Sequence, residues 1–202
     1  MLALRDRPFM IFNLLIMGYW FLWVQFTISL PLIARALSGT AVTISFVYAI
    51  NSGMNIVLGY PLIRLAERWL RPFTILIGGL IIMACGLGSI ALVNSVPLLL
   101  LCVVFIALGS LLVMPSQQTI AASISHPEWL GSYLGLNALS LGLGGALGNY
   151  SGGLLYDLAR SLHSPPLPWL VFLLVGLSSA LGLWFLARST NGRKLFATHL
   201  KP

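Results

Sequence analysis

An all-α membrane fold of six spanning helices follows from three features of this 202-residue chain. Residues 8–34, 40–63, 72–93, 97–122, 129–156 and 168–187 contain no Asp, Glu, Lys, Arg or His, and all fifteen formal charges fall between these stretches or in the tails. Each stretch holds at least 20 residues, enough at about 1.5 Å per helical residue to cross a hydrocarbon core roughly 30 Å thick. None alternates apolar and polar residues as a barrel strand must, and an open strand in lipid would leave its backbone groups unpaired. The basic residues are also distributed unequally. Arg5, Arg7, Arg64, Arg68, Arg71, Arg188, Arg193, Lys194 and Lys201 fall on one side, and only Arg35 and Arg160 on the other. The positive-inside rule then places both termini in the cytoplasm. A net charge of +7 would suggest a nucleic-acid partner in a soluble protein. Here the basic residues border membrane spans, so we read them as topology signals and contacts to the lipid bilayer, with no nucleic-acid partner.

Span 1 (8–34) follows Arg5-Asp6-Arg7, and Ala34-Arg35-Ala36 offers a small-x-small site. The apolar run is too long for a signal peptide and is expected to be retained. It carries Trp20, Gln25 and Pro31. Span 2 (40–63) carries Tyr48, Asn51 and Asn55 at helical spacing, a polar stripe near the bilayer midplane. Such a stripe either bonds across a helix interface or lines a cavity. In the loop that follows, Arg64, Glu67, Arg68 and Arg71 cluster, and Glu67 reaches Arg71 if the turn stays helical. Span 3 (72–93) is almost uniformly apolar beyond Ser89 and holds Cys85; span 4 (97–122) holds Cys102, and Ser116, Gln117 and Gln118 follow its Pro115. The two cysteines lack the spacing of a metal site or a disulfide framework and read as small packing residues. Pro31, Pro61 and Pro115 each remove a backbone donor and are expected kink sites.

Ser125 stands three residues before Glu128, a capping-box spacing that would start span 5. Span 5 (129–156) carries Asn137 and Ser140. Gly144, Gly148 and Gly152 recur every four residues, Gly153 adjoins them, and Gly131 and Gly135 repeat the spacing earlier. A stripe without side chains lets a neighbouring backbone approach closely, or serves as a hinge or sliding surface. Span 6 (168–187) is apolar apart from Ser178 and Ser179. Because amides facing lipid lose their hydrogen bonds, spans 1, 2, 4 and 5 should each turn a face toward protein or a watery cavity.

No span contains a titratable carboxylate, histidine or base; His126, His163 and His199 lie in loops or the tail. Ion coupling by this chain alone is therefore hard to build. No phosphate loop, HExxH or GxSxG is present, so we expect neither enzyme activity nor a cofactor or metal. Three spans form an odd unit, so spans 1–3 and 4–6 can pair as two inverted three-helix units within one domain, residues 1–202.

Ala66-Glu67-Arg68-Trp69-Leu70-Arg71-Pro72 is similar to the acidic-Arg-x-Gly-Arg loop motif of the major facilitator superfamily, departing from it at Leu70 and at Ile63 where glycines stand. Gly144 to Gly153, reading Gly-Gly-Ala-Leu-Gly-Asn-Tyr-Ser-Gly-Gly, resembles the antiporter signature G-x-x-x-G-P-x-x-G-G with Asn149 in place of proline. Together with Gly131-Ser132-Tyr133-Leu134-Gly135 and Ser161-Leu162-His163, these make nearly the whole chain resemble the C-terminal six-helix half of a drug:proton antiporter of that superfamily. The resemblance implies a multidrug efflux function in the plasma (inner) membrane. It implies a cavity for amphipathic small molecules lined by spans 1, 2, 4 and 5, with Trp20, Gln25, Tyr48, Asn51, Asn55, Gln117, Asn137 and Ser140 on its wall. Spans 3 and 6 would support them from outside, and Arg64, Glu67, Arg68 and Arg71 would form a cytoplasmic gate loop. It also implies a missing partner, an N-terminal six-helix half carrying the proton-coupling charges. The other readings are a homodimer of two copies, a membrane interaction protein that does not transport, and a truncated-gene remnant, since Met1 lies where an inter-half linker would end.

Overall fold

The computed structural model describes residues 6–125 and 127–189. They form helices α1 (Arg7–Gln25), α2 (Ser29–Ser38), α3 (Val42–Trp69), α4 (Pro72–Ser89), α5 (Val96–Ile124), α6 (Leu130–Ser161) and α7 (Leu167–Arg188), with single 3₁₀ turns at Ile90–Leu92 and Pro127–Trp129. With α1 and α2 counted as one span, six segments are long and apolar enough to cross a membrane. Six crossings bring Asp6 and Ser189 to the same side, called here the terminal side.

Helix starts follow local chemistry. Asp6 caps α1 by accepting the Phe9 N–H at 3.3 Å. Prolines occupy the first turn of α1, α4, α5 and α7, where the missing N–H would have no intrahelical partner anyway. Gly39 ends α2 at φ +69°, its N–H bonded to the Arg35 carbonyl, the left-handed cap for which glycine suffers no Cβ penalty.

Local structure departs from the sequence reading in several places. Span 1 is two helices, interrupted at Phe26–Ile28, because the Pro31 ring would clash with the Thr27 carbonyl in a continuous helix. Pro61 and Pro115 lie inside unbroken α3 and α5. The Ser125–Glu128 capping box does not form: Ser125 ends α5 with its hydroxyl donating back to the Ala122 carbonyl at 2.7 Å, and α6 starts after Trp129 without a side-chain cap. Glu67 does not reach Arg71 through a helical turn, since α3 stops at Trp69 and Leu70 is extended.

The packing has internal symmetry. α1 packs along α6 as α3 packs along α5; α4 packs on α5 as α7 packs on α1; α4 and α7 pack on each other. Exchanging the first three spans for the last three maps each of these contacts onto another or onto itself, the arrangement expected of two inverted triplets. Close packing at glycines supports it: a Cβ on Gly109 of α5 would lie 2.5 Å from the Gly79 carbonyl oxygen of α4, and one on Gly176 of α7 would lie 2.8 Å from the Leu22 side chain of α1. Burial is uneven. In the most apolar window of each span, 56 % of the α1–α2 residues and 56 % of α4 are buried, against 11 % for α3, 22 % for α6 and 28 % for α7. The open surfaces of the bundle are therefore mainly those of α3, α6 and α7.

Candidate functional site

The polar residues of the spans fall into two groups, and the first is a seam between α1 and α6. The two helices run parallel and meet at a constant offset of 127 residues. At the terminal side the Tyr133 hydroxyl donates to Asp6 at 3.1 Å, and the Phe9 ring meets the Tyr133 ring edge-on with centroids 4.6 Å apart. One helical step further, the Asn13 Oδ1 accepts from Asn137 Nδ2 at 3.0 Å and from Ser140 Oγ at 2.9 Å, while its own Nδ2 donates to the Phe9 carbonyl at 3.0 Å. Three glycines then bring the backbones together. A Cβ on Gly144 would lie 2.6 Å from the Met17 carbonyl oxygen, one on Gly148 2.8 Å from the Phe21 carbonyl oxygen, and one on Gly152 2.8 Å from Gln25 Oε1.

Gln25 closes the seam where α1 ends. Its Nε2 donates to the Gly148 carbonyl at 2.9 Å and to the Phe21 carbonyl at 3.1 Å, and its Oε1 accepts from Ser29 Oγ at 2.7 Å. Every hydrogen-bonding atom of this amide is used, across the interrupted turn as well as across the helix pair. At the far end the Tyr156 hydroxyl donates to the Ser29 carbonyl at 3.3 Å.

This seam corrects several sequence expectations. Gln25 and Ser140 are buried inside a two-helix contact and line no open cavity. Asn137 is half-buried and spends one amide hydrogen on Asn13. Trp20 is buried too, edge-on to Tyr19 and Trp23 and with its Cβ 3.0 Å from the position a Gly144 Cβ would take. Gln117 and Ser116 are buried in α5, whereas Gln118 is exposed. Gly153, Gly131 and Gly135 make no packing contact within this chain: nothing lies within 4 Å of a Cβ built on any of them. Cys102 is buried as expected of a packing residue, but Cys85 is exposed. Asn13 and Asp6, at the head of the seam, were missed. Asn13 lies three four-residue steps before Gln25, on the same ridge as Met17 and Phe21, and that spacing was the available signal.

The second group is the stripe on α3. Tyr48 and Asn55 are exposed and Asn51 is half-buried. Asn55 Nδ2 donates to the Asn51 carbonyl at 2.8 Å, and the Tyr48 ring meets Phe26, in the break of span 1, with centroids 5.6 Å apart. The structure therefore separates this stripe from Gln25, Asn137 and Ser140 rather than gathering all of them on one wall. Tyr19 Oη, Trp20 Nε1, Ser116 Oγ and Gln117 Oε1 are buried without a hydrogen-bond partner. They lie on α1 and α5, the two helices that the triplet exchange interconverts. Arg64, Glu67 and Arg68, expected in a loop, lie at the end of α3, and Arg71 is the N-cap residue of α4; all four are exposed. Among the described residues no His, Cys, Asp and Glu side chains cluster as a metal site would require.

A profile described as Major Facilitator Superfamily matches residues 8–199. The chain belongs to that superfamily. It is 35 % identical over 185 residues to multidrug resistance protein MdtH of Yersinia enterocolitica serotype O:8, and 36 % identical to the proteins of the same name from Yersinia pestis (strain Pestoides F) and Yersinia pseudotuberculosis serotype O:1b. Each alignment takes in 92 % of this chain and 46 % of the relative, so the chain spans about half the length of the curated relatives it matches. With six helices long and apolar enough to cross a membrane, this superfamily member is a multi-pass membrane protein.

Proposed function

We propose that this chain is the C-terminal six-helix half, a single domain, of a multidrug efflux transporter of the plasma (inner) membrane, with both termini cytoplasmic. The observation that carries the reading is the match to MdtH proteins over nearly all of this chain and under half of theirs. The open surfaces of α3 and α6 support it, because a second six-helix half would cover them and enclose the Tyr48, Asn51 and Asn55 stripe between the two units. The enclosed cavity takes amphipathic small molecules: its amides and the Tyr48 phenol supply a few polar contacts within an otherwise apolar wall.

Transport then proceeds by rocking the two halves about the cavity, with coupling charges supplied by the partner. The terminal side, with Arg64, Arg68, Arg71 and Arg188, is the cytoplasmic side by the positive-inside rule. In this reading the gate loop is the short connection around Leu70 and Arg71, flanked by Glu67 and Arg68.

The test is accumulation of a fluorescent cationic drug in inverted membrane vesicles under an imposed proton gradient. Vesicles holding this chain together with a matching N-terminal half should accumulate drug, and vesicles holding the chain alone should match empty ones. Gradient-dependent accumulation by the lone chain would overturn the half-transporter reading in favour of a homodimer.

A further inference from the structure

The break in span 1 and the stripe on α3 meet at a pair of rings. Phe26, the first residue after α1, places its ring 5.6 Å from that of Tyr48, centroid to centroid, with the two planes at 74°. Their exposure differs. Phe26 is 6 % exposed and belongs to the buried core, whereas Tyr48 is 39 % exposed at the head of the Tyr48, Asn51 and Asn55 stripe. In a T-shaped pair one ring turns its edge to the face of the other, so Phe26 occupies at most one face of the Tyr48 ring. At least one face is left by this contact.

The backbone beneath Phe26 is tightly bonded. The Phe26 N–H donates to the Trp23 carbonyl and the Thr27 N–H to the Val24 carbonyl, each at 3.0 Å, and Thr27 Oγ1 donates to the Val24 carbonyl at 2.9 Å. Immediately before the turn, the Gln25 amide is fixed on Phe21, Gly148 and Ser29. These bonds give the Phe26 ring a fixed origin, and burial restricts its rotamers. Tyr48 stands on an exposed helix face, where a ring without support exchanges rotamers and loses that freedom when a solute binds. Leaning on Phe26 orders the ring in advance, which strengthens binding without adding a contact to the solute.

On the basis of the transport reading, we propose that Phe26 is a positioning residue for solute binding: it holds the Tyr48 ring so that the ring's free face receives an aryl group of the transported molecule. An aryl group extends the pair into a three-ring edge-to-face cluster, which an alkyl group cannot do. Phe26 is buried and acts only through Tyr48, so its effect falls on the choice between aryl and alkyl solutes and not on the rate of turnover.

The test uses the full chain paired with a matching N-terminal half in inverted vesicles under a proton gradient. Tetraphenylphosphonium and tetrabutylphosphonium serve as probes; they carry the same charge, so any cation–π attraction to Tyr48 is common to both. Accumulation in empty vesicles is subtracted, and the half-saturating concentration and maximal rate are read separately for each probe. Phe26→Met, an apolar side chain without a ring, should lower the preference for the aryl probe about three- to tenfold, the contribution of a ring pair, through the half-saturating concentrations and not the maximal rates. Tyr48→Leu, at an exposed position, should lower the preference equally. Tyr48→Phe keeps both rings and should keep the ratio between the probes. An equal change for the two probes in Phe26→Met, or a fall in maximal rate alone, would make Phe26 a packing residue only and overturn the proposal. So would an unchanged ratio in Tyr48→Leu, a variant that decides the matter even where Phe26→Met does not fold. Accumulation of neither probe by the unaltered pair would overturn the transport reading together with this proposal, whereas accumulation of both with the same ratio in every variant would overturn the proposal alone.

Discussion

Gly148 and Gly153 lie on the same helix in opposite environments. A Cβ on Gly148 would press on the Phe21 backbone at 2.8 Å, whereas Gly153 has open space around it. Backbone cannot swing aside as the end of a side chain can, so Gly148→Leu should lower stability by about 1–3 kcal/mol. Gly153→Leu should leave it within about 0.5 kcal/mol of the parent; thermal unfolding in detergent, followed by circular dichroism, checks both. Gln25→Leu strands the Gly148 carbonyl and the Ser29 hydroxyl that the amide now satisfies. It should cost about 0.6–1.7 kcal/mol, the range measured for interhelical bonds in membranes. Polarity within an apolar span marked Gln25 and Asn51 alike as groups that avoid lipid. What separates them is the neighbour behind each: α6 lies against Gln25, and the Asn51 face of α3 is left open. One helix's sequence holds no record of how its neighbours are rotated, so it does not distinguish a cavity from a seam.

Elements were more legible than the faces they present. Charge-free stretches located all six spans because a charged side chain is costly inside hydrocarbon, and the ends differ by a few residues where helices such as α3 and α6 run on past the apolar segment. The break in span 1 was visible only as a proline. Pro31 interrupts its helix while Pro115 does not, and the difference lies in the surroundings: Gln25 and Thr27 supply side-chain bonds to the Phe21 and Val24 carbonyls around the interruption, so opening the turn there leaves fewer groups unpaired. The α1–α6 seam is a property of two elements together, and its coupling is measurable. Asn13 Oδ1 is the shared acceptor for Asn137 and Ser140. A double-mutant cycle with Asn13→Ala and Ser140→Ala should therefore give a coupling energy of about 0.6 kcal/mol, the average for such pairs. Additive losses in unfolding free energy would mean the two residues act independently.

At the scale of the molecule, the proposed topology and the proposed pairing with a second half are the two properties to test. With Cys85 and Cys102 replaced by alanine, a cysteine at Ser164 should react with a membrane-impermeant maleimide added to intact cells, and one at Thr198 should react only after permeabilisation; Thr198 lies outside the described residues, and the expectation rests on the basic asymmetry. The inverted triplets were weakly legible, since no residue-level repeat links spans 1–3 to 4–6 and the symmetry emerges only in which helices touch. The proposed pairing with a second half makes a prediction on α6. Gly144, Gly148 and Gly152 face α1, while Gly135, Gly142 and Gly153 lie on the opposite side with nothing within 4 Å of an added Cβ. A helix that presents small residues on both sides is suited to close approach on both, but only one approach is made within this chain. Leucines at Gly135, Gly142 and Gly153 should therefore leave the unfolding temperature of the isolated chain unchanged, because they meet no neighbour. The same three leucines should abolish drug accumulation when the chain is paired with a matching N-terminal half, because there they hold the two halves apart. Full activity in the paired vesicles would show that this side of α6 faces lipid and that the second half docks elsewhere.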